Sequence, residues 1–258
     1  MLRVRVIRSG SGGNAVYVQG GATRLLVDVG LPAELVAQEL VAMPDAWPPA
    51  AILLTHEHED HARGAWALAR QAGVPVLATE GTLRAAAESA QGVSAERVVP
   101  GVPVRVGEVQ VEALVVSHDA AQPVGYVISR GPRAVLVATD LGAVDEALVE
   151  RSRTVDALVV EANYDLRLLA VSPYPWFLKN RILSPTGHLS NDAAAGLVVA
   201  AAAGGRLRMA CLVHLSDINN LTPLARDTAL WALEREGITG VRVEAVRPNG
   251  SSSLWDVG

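Results

Sequence analysis

The first eight residues, Met1-Leu2-Arg3-Val4-Arg5-Val6-Ile7-Arg8, alternate apolar and basic side chains. A period of two puts the apolar groups on one face, so the segment predicts a half-buried strand. The turn Ser9-Gly10-Ser11-Gly12-Gly13-Asn14 leads to a second strand over 15–19, and 23–28 predicts a third. Strand and helix then alternate. Residues 32–41 show helical spacing, 50–55 are a buried apolar strand, and 61–72 the helix after it. Strand 74–79 precedes helix 81–90, and 98–116 holds two or three short strands. Residues 123–129 and 134–139 pair across the turn Arg130-Gly131-Pro132-Arg133. Helix 145–152, strand 155–161, helix 191–203 capped by Ser190 or Asn191, strand 208–214, helix 224–236 and strand 241–245 complete the series. Mixed elements at both ends predict α/β sheets with helices outside them. No repeat, linker or charge block divides residues 1–258, which read as one domain.

Composition narrows the class. Half of the 258 residues are hydrophobic and 19% are charged, which excludes disorder and allows a core without staples. The single cysteine, Cys211, excludes an internal disulfide framework, and its apolar strand gives it a packing role. A net charge of −5 excludes capture of nucleic acid by bulk charge, so any such contact is local. The alternating start has no signal-peptide core, and the small apolar stretch 193–205 is well short of the ~20 residues of a membrane helix. The expectation is a cytoplasmic protein without membrane contact.

Three of the six histidines fall in Thr55-His56-Glu57-His58-Glu59-Asp60-His61, directly after the apolar run Ala51-Ile52-Leu53-Leu54. A turn leaving a buried strand can aim several imidazoles at one point, and imidazole with carboxylate is a donor set for divalent ions. Three further apolar strands end the same way, in His118, in Asp140 and in His214. Each alone reads as a cap or a satisfied histidine; four strand ends together read as a metal site at one sheet edge.

His56-x-His58-x-Asp60-His61, with Asp28 upstream in Leu25-Leu26-Val27-Asp28-Val29-Gly30, resembles the metallo-β-lactamase superfamily signature. His118, Asp140 and His214 match its later motifs in order. Within that superfamily, Ser9–Asn14, Glu161-Ala162-Asn163-Tyr164-Asp165, the segment from Pro173 to Ser184, Gly187-His188-Leu189-Ser190-Asn191 and His214-Leu215-Ser216-Asp217-Ile218-Asn219-Asn220 resemble the YycJ/WalJ group. Tyr164 departs from it, standing where a histidine is expected. The resemblance implies a four-layer αββα sandwich with a dinuclear site at one edge. It also implies a metal-dependent phosphodiesterase, a 5′→3′ exonuclease on DNA in preference to RNA. Only 74 positions separate Asp140 from His214, which leaves no room for a β-CASP cap domain.

The resemblance assigns His56, His58 and His118 to one ion, Asp60, His61 and His214 to a second, and Asp140 to a bridge. Asp60 then counts as a catalytic residue as well as a ligand. Two such ions, Zn²⁺ or Mn²⁺ on these donors, lower the pKa of a shared water, and the resulting hydroxide attacks the phosphodiester. Asp28 is expected to orient a ligand histidine rather than bind metal. Of Glu57 and Glu59, one is expected at the surface and one behind the ligands. His188 resembles the phosphate-contacting histidine of β-CASP nucleases and is assigned phosphate binding or proton donation, against a structural role. Ser11 and Asn14 in the glycine-rich turn, and Ser216, Asn219 and Asn220 after His214, are candidate substrate contacts. Lys179 and Arg181 lie beside Trp176 and Phe177, a grouping that tracks nucleic acid or is simply solvated. A thioesterase or lactonase on the same fold is the alternative enzyme, and a metal-stabilised binding module the non-enzymatic one. The oligomeric state is left open.

Overall fold

The alternation of the first strand is resolved in a computed structural model that describes residues 1–257. Leu2, Val4 and Val6 of β1 (Leu2–Arg8) face a central apolar layer, while Ile7, on the alternate face, packs on the outer side. The same in-and-out division runs through two seven-stranded sheets. One contains β1, β2 (Ala15–Gly20), β3 (Thr23–Val27), β4 (Ala51–Leu53), β5 (Val76–Ala78) and β6 (Ala95–Arg97). The other contains β7 (Val104–Val106), β8 (Val109–Val115), β9 (Val124–Arg130), β10 (Arg133–Ala138), β11 (Ala157–Glu161), β12 (Met209–Val213) and β13 (Arg242–Ala245). The last strand, β14 (Trp255–Asp256), returns to pair with β1, giving the orders β14-β1-β2-β3-β4-β5-β6 and β13-β12-β11-β10-β9-β8-β7.

Val16, Leu25 and Leu53 of the first sheet and Tyr126, Val137, Val159 and Cys211 of the second meet in the layer between the sheets. The residues between them in sequence, among them Tyr17, Leu26 and Ile52, face outward and bury α1 (Ala33–Ala42), α2 (Glu59–Ala62) and α3 (Ala65–Ala72). α4 (Glu80–Ala85) follows β5 on the same sheet. On the second sheet, Leu136, Leu158 and Leu212 pack under α5 (Glu146–Ser152), α8 (Asn191–Ala203) and α9 (Thr222–Arg235). Alternate positions of one strand thus feed two apolar layers, which makes four layers, αββα. Two short helices, α6 (Leu166–Val171) and α7 (Trp176–Leu183), pack on a small cluster of their own.

Several boundaries differ from the sequence reading. The helix expected over 61–72 is broken at Gly64, whose N–H donates to the Val29 carbonyl and whose missing Cβ admits the Leu31 carbonyl. β6 was not anticipated: its Ala95, Glu96 and Arg97 are exposed and show no apolar alternation. α6 and α7 lie between strand 155–161 and helix 191–203, where the sequence pattern predicts no element. Ser190, not Asn191, caps α8, its Oγ accepting the Ala193 N–H. Among the described residues, the interval from Asp140 to His214 holds α5, β11, α6, α7, α8 and β12 and no inserted cap domain.

The parallel order of β3 with β4, and of β10, β11 and β12, brings their carboxyl ends to one rim. Ligands bind in such crevices. At the opposite ends of β10, β11 and β12, Asp156 accepts from Arg133 at 2.8 Å, the Ala134 N–H at 2.9 Å and Arg206 at 3.0 Å. Burial opposes its ionisation, but these donors hold its carboxyl below the ordinary 3.8. A depressed carboxyl stabilises the fold above the unfolded-state pKa and loses that contribution as pH falls through the folded-state value. Asp156→Ala is expected to cost about 1–3 kcal/mol of unfolding free energy near neutrality. In urea unfolding across pH, the gap from the parent should close below about pH 4; a gap independent of pH would contradict this.

Candidate metal centre

Two strand ends at the rim are held in a backbone conformation that side chains other than glycine seldom adopt. Asp28 has φ 62° and His214 φ 54°. Such strain persists only where the surroundings fix it. Asp28 accepts the Thr55 N–H, the Thr55 hydroxyl and the His61 Nδ1–H, each at 2.8 Å. His214 donates its N–H to Ser9 Oγ at 2.6 Å, and its carbonyl accepts from Asn163 Nδ2 at 2.8 Å. The glycine-rich turn is tied to the same place. Asn14 N–H donates to the Asp60 carbonyl, Gly30 N–H donates to the Asn14 carbonyl, and a Cβ on Gly30 would strike the Asp60 carbonyl.

These contacts also orient the imidazoles. The Thr55 hydroxyl spends its proton on Asp28, so it accepts from His56 Nδ1 at 2.9 Å. His118 Nδ1 donates to the Gly187 carbonyl at 3.1 Å. With Nδ1 committed to these acceptors, His56, His61 and His118 each turn Nε2 inward. Asp140 Oδ2 lies 3.8 Å from His56 Nε2, 3.3 Å from His61 Nε2 and 3.4 Å from His118 Nε2. His58 Nδ1 stands 3.3 Å from His118 Nε2, and Asp60 Oδ2 is 3.6 Å from both His61 Nε2 and His214 Nε2. The donor atoms of His56, His58, His118 and Asp140 lie within 4.8 Å of one another, as do those of Asp60, His61, Asp140 and His214. All seven expected ligands are brought together. Five of them, His58, Asp60, His118, Asp140 and His214, line a cavity of about 480 Å³.

A β-lactamase superfamily domain is matched across residues 23–215. The exodeoxyribonuclease YycJ of Bacillus anthracis is 35% identical over 243 residues, covering 92% of this chain and 90% of that protein. The exodeoxyribonuclease WalJ of Streptococcus pneumoniae D39 is 34% identical over 247 residues, covering 93% and 90%. The chain belongs to the metallo-β-lactamase superfamily and, within it, to the YycJ/WalJ group. Its fold matches the metallo-β-lactamase fold protein YhfI from Bacillus subtilis with a TM-score of 0.74 at 19% identity, over 98% of both chains.

The residues fit the divalent ions that this superfamily implies. His56 Nε2 and Asp140 Oδ1 are buried and have no hydrogen-bond partner. Asp140 Oδ1 lies 2.7 Å from His214 Nδ1, but the proton there is better aimed at Glu161, so that approach is a charge contact. Orphaned buried acceptors are costly, and a cation among them removes the cost. Electrostatics point the same way. Burial, then the neighbouring His61, lowers the pKa of His56 and keeps its imidazole neutral. Burial opposes protonation of His61 and His214, but Asp140 overrides it and raises both well above the ordinary value. Burial also opposes ionisation of Asp140, yet His214 and His61 hold its carboxyl far below the usual range. The cluster retains positive charge as protons where cations would replace them.

Of the remaining expected residues, Ser11 and His188 line the cavity. Asn14 is buried, with its Nδ2 3.2 Å from His61 Nε2. Ser216, Asn219 and Asn220 are not brought to the cavity wall. Ser216 Oγ accepts the N–H groups of Ile218 and Asn219, and Asn220 pairs with Asn191 and the Ala162 carbonyl. Glu57 accepts the Ala121 N–H just beyond His118, whereas the Glu59 side chain is exposed. Tyr164 packs with Leu169 and Ile182. Sequence reasoning missed a role for Glu161. This fully buried carboxylate accepts from His188 Nδ1 at 2.6 Å and His214 Nδ1 at 2.9 Å. It ends an apolar strand, the signal that exposed Asp140 and His214.

Asp28→Asn keeps the size of the group that positions His61 but removes its charge. We expect metal affinity about tenfold to a hundredfold weaker by chelator competition; unchanged affinity would show that Asp28 does not act through His61.

Proposed function

We propose that this chain is a metal-dependent 5′→3′ exonuclease acting on DNA. His56, His58 and His118 would hold one divalent ion and Asp60, His61 and His214 a second, with Asp140 shared between the two sets. When bound, Zn²⁺ or Mn²⁺ supplies Lewis-acid polarisation of the phosphodiester and generates the nucleophile from water. The chain's own contribution beyond the ligands centres on His188. Burial opposes its protonation, but the Glu161 carboxylate raises its pKa above the ordinary histidine value. Glu161 takes the Nδ1 proton, so a protonated ring offers Nε2–H at the cavity for the scissile phosphate or its leaving oxygen.

The observation that carries the reading is this rim. Arg63, Arg181 and His188 line the cavity beside the ligand cluster, and no apolar side chain does. That lining suits a phosphodiester and offers nothing to the acyl chain of a thioester. The names of the YycJ and WalJ relatives support the same chemistry. A cytoplasmic setting belongs to the proposal. No helix is long and apolar enough to cross a membrane among the described residues.

End-labelled single- and double-stranded DNA and RNA, incubated with each metal in turn, test it. Stepwise nucleotide release from DNA 5′ ends is expected. Turnover of a thioester without cleavage of any nucleic acid would reverse the assignment. His188→Ala is expected to lower kcat about 10²- to 10⁴-fold. Activity that needs protonated His188 falls as pH rises through its raised pKa. Glu161→Gln removes the charge that raises it, so the alkaline limb of the kcat profile should move to lower pH; an unmoved limb would contradict the pairing.

A further inference from the structure

The strongest surface anomaly lies beside the cavity. Trp176 is 72% and Phe177 75% exposed at the start of α7, with Leu166 and Val171 of α6 also exposed. The opposite side of α7 is anchored: Leu178 and Ile182 pack with Tyr164, Leu169 and Tyr174. The rings are thus presented on a supported platform. Residues four apart on a helix share a face about 6 Å apart, so Phe177 stands one turn from Arg181. Arg181 lines the cavity, and its Nε and Nη2 grip Asp119 at 2.7 and 3.1 Å. That leaves three of its five N–H groups free for phosphate.

Charge distinguishes this platform from the rest of the surface. From Leu166 to Asn191 the chain carries Arg167, Lys179, Arg181 and His188 and no aspartate or glutamate, in a protein of net charge −5. Cationic groups interleaved with exposed aromatic rings, continuous with a phosphodiester site, suit a polyanion with accessible π faces.

We propose that Phe177 and Trp176 stack unpaired bases of single-stranded DNA leading out of the cavity, while Arg181 holds a phosphate at the mouth. The proposal rests on the nucleic-acid reading of the site. Bases inside a duplex are covered by their neighbours, so the platform selects single-stranded tails. Base–aromatic stacking follows ring faces and not base identity, so the selection is independent of sequence.

The test compares a short, uncleavable phosphorothioate-linked oligothymidylate with an abasic strand of equal length, each binding the metal-loaded protein by fluorescence anisotropy. The parent should prefer the base-bearing strand. In Trp176→Ala/Phe177→Ala that strand should bind between about fivefold and about a hundredfold more weakly, with the abasic strand little changed. Equal weakening of both strands, or of neither, would overturn the proposal. So would a parent dimer that the double substitution dissociates without loss of the base preference, which would assign the patch to a second copy of the chain. Binding is read without cleavage. A base preference without hydrolysis would refute the nuclease and keep the platform, and hydrolysis without the preference would do the reverse.

Discussion

One carboxylate, Asp140, sets the conditions for everything at the rim. It is 5% exposed, emerges from the second sheet, and lies within 4 Å of His56, His61, His118 and His214. A buried charge of this kind persists only with compensation. The compensation comes from both sheets, because His56 and His61 follow β4 while His118 and His214 follow β8 and β12. The seam between the sheets is therefore closed by electrostatics at one end and by the Val, Leu and Ile layer along the rest.

Around that carboxylate the fold fixes one nitrogen of five of the six imidazoles, all but that of His58. Asp28 and Thr55 do this for His61 and His56, and the Gly187 carbonyl for His118. Glu161 does it for two histidines, His214 of the Asp140 cluster and the cavity-lining His188. Changes at Glu161 therefore reach both histidines together. The strained φ of His214 belongs to the same design, because Ser9, after β1, and Asn163, after β11, hold its backbone N–H and carbonyl.

The layered architecture was legible because alternate apolar residues in β1 to β4 and β8 to β12 face different layers, a pattern visible in sequence. The convergence of the seven residues was legible because the segment from His56 to His61, and His118, Asp140 and His214 singly, come after apolar runs. What escaped has physical reasons. The apolar residues of α6 and α7 point outward as often as inward, so no helical period shows, and Pro173 and Pro175 interrupt the segment. β6 is three exposed residues held by backbone pairing to β5. Nearness in sequence to His214 suggested substrate contact for Ser216, Asn219 and Asn220, but it carries no information on direction. The chain turns there, and their side chains close the turn and join it to α8. Glu161 obeys the rule that exposed Asp140, yet its role required seeing which histidines its two oxygens face.

The central claim is that the Asp140 cluster is a seat for a pair of cations. Elemental analysis of protein purified without chelator tests it most directly, with Asp140→Ala alongside. The account predicts about two divalent ions per parent chain and the loss of both in the variant. Metal-free parent protein that still degrades DNA in excess chelator would contradict it.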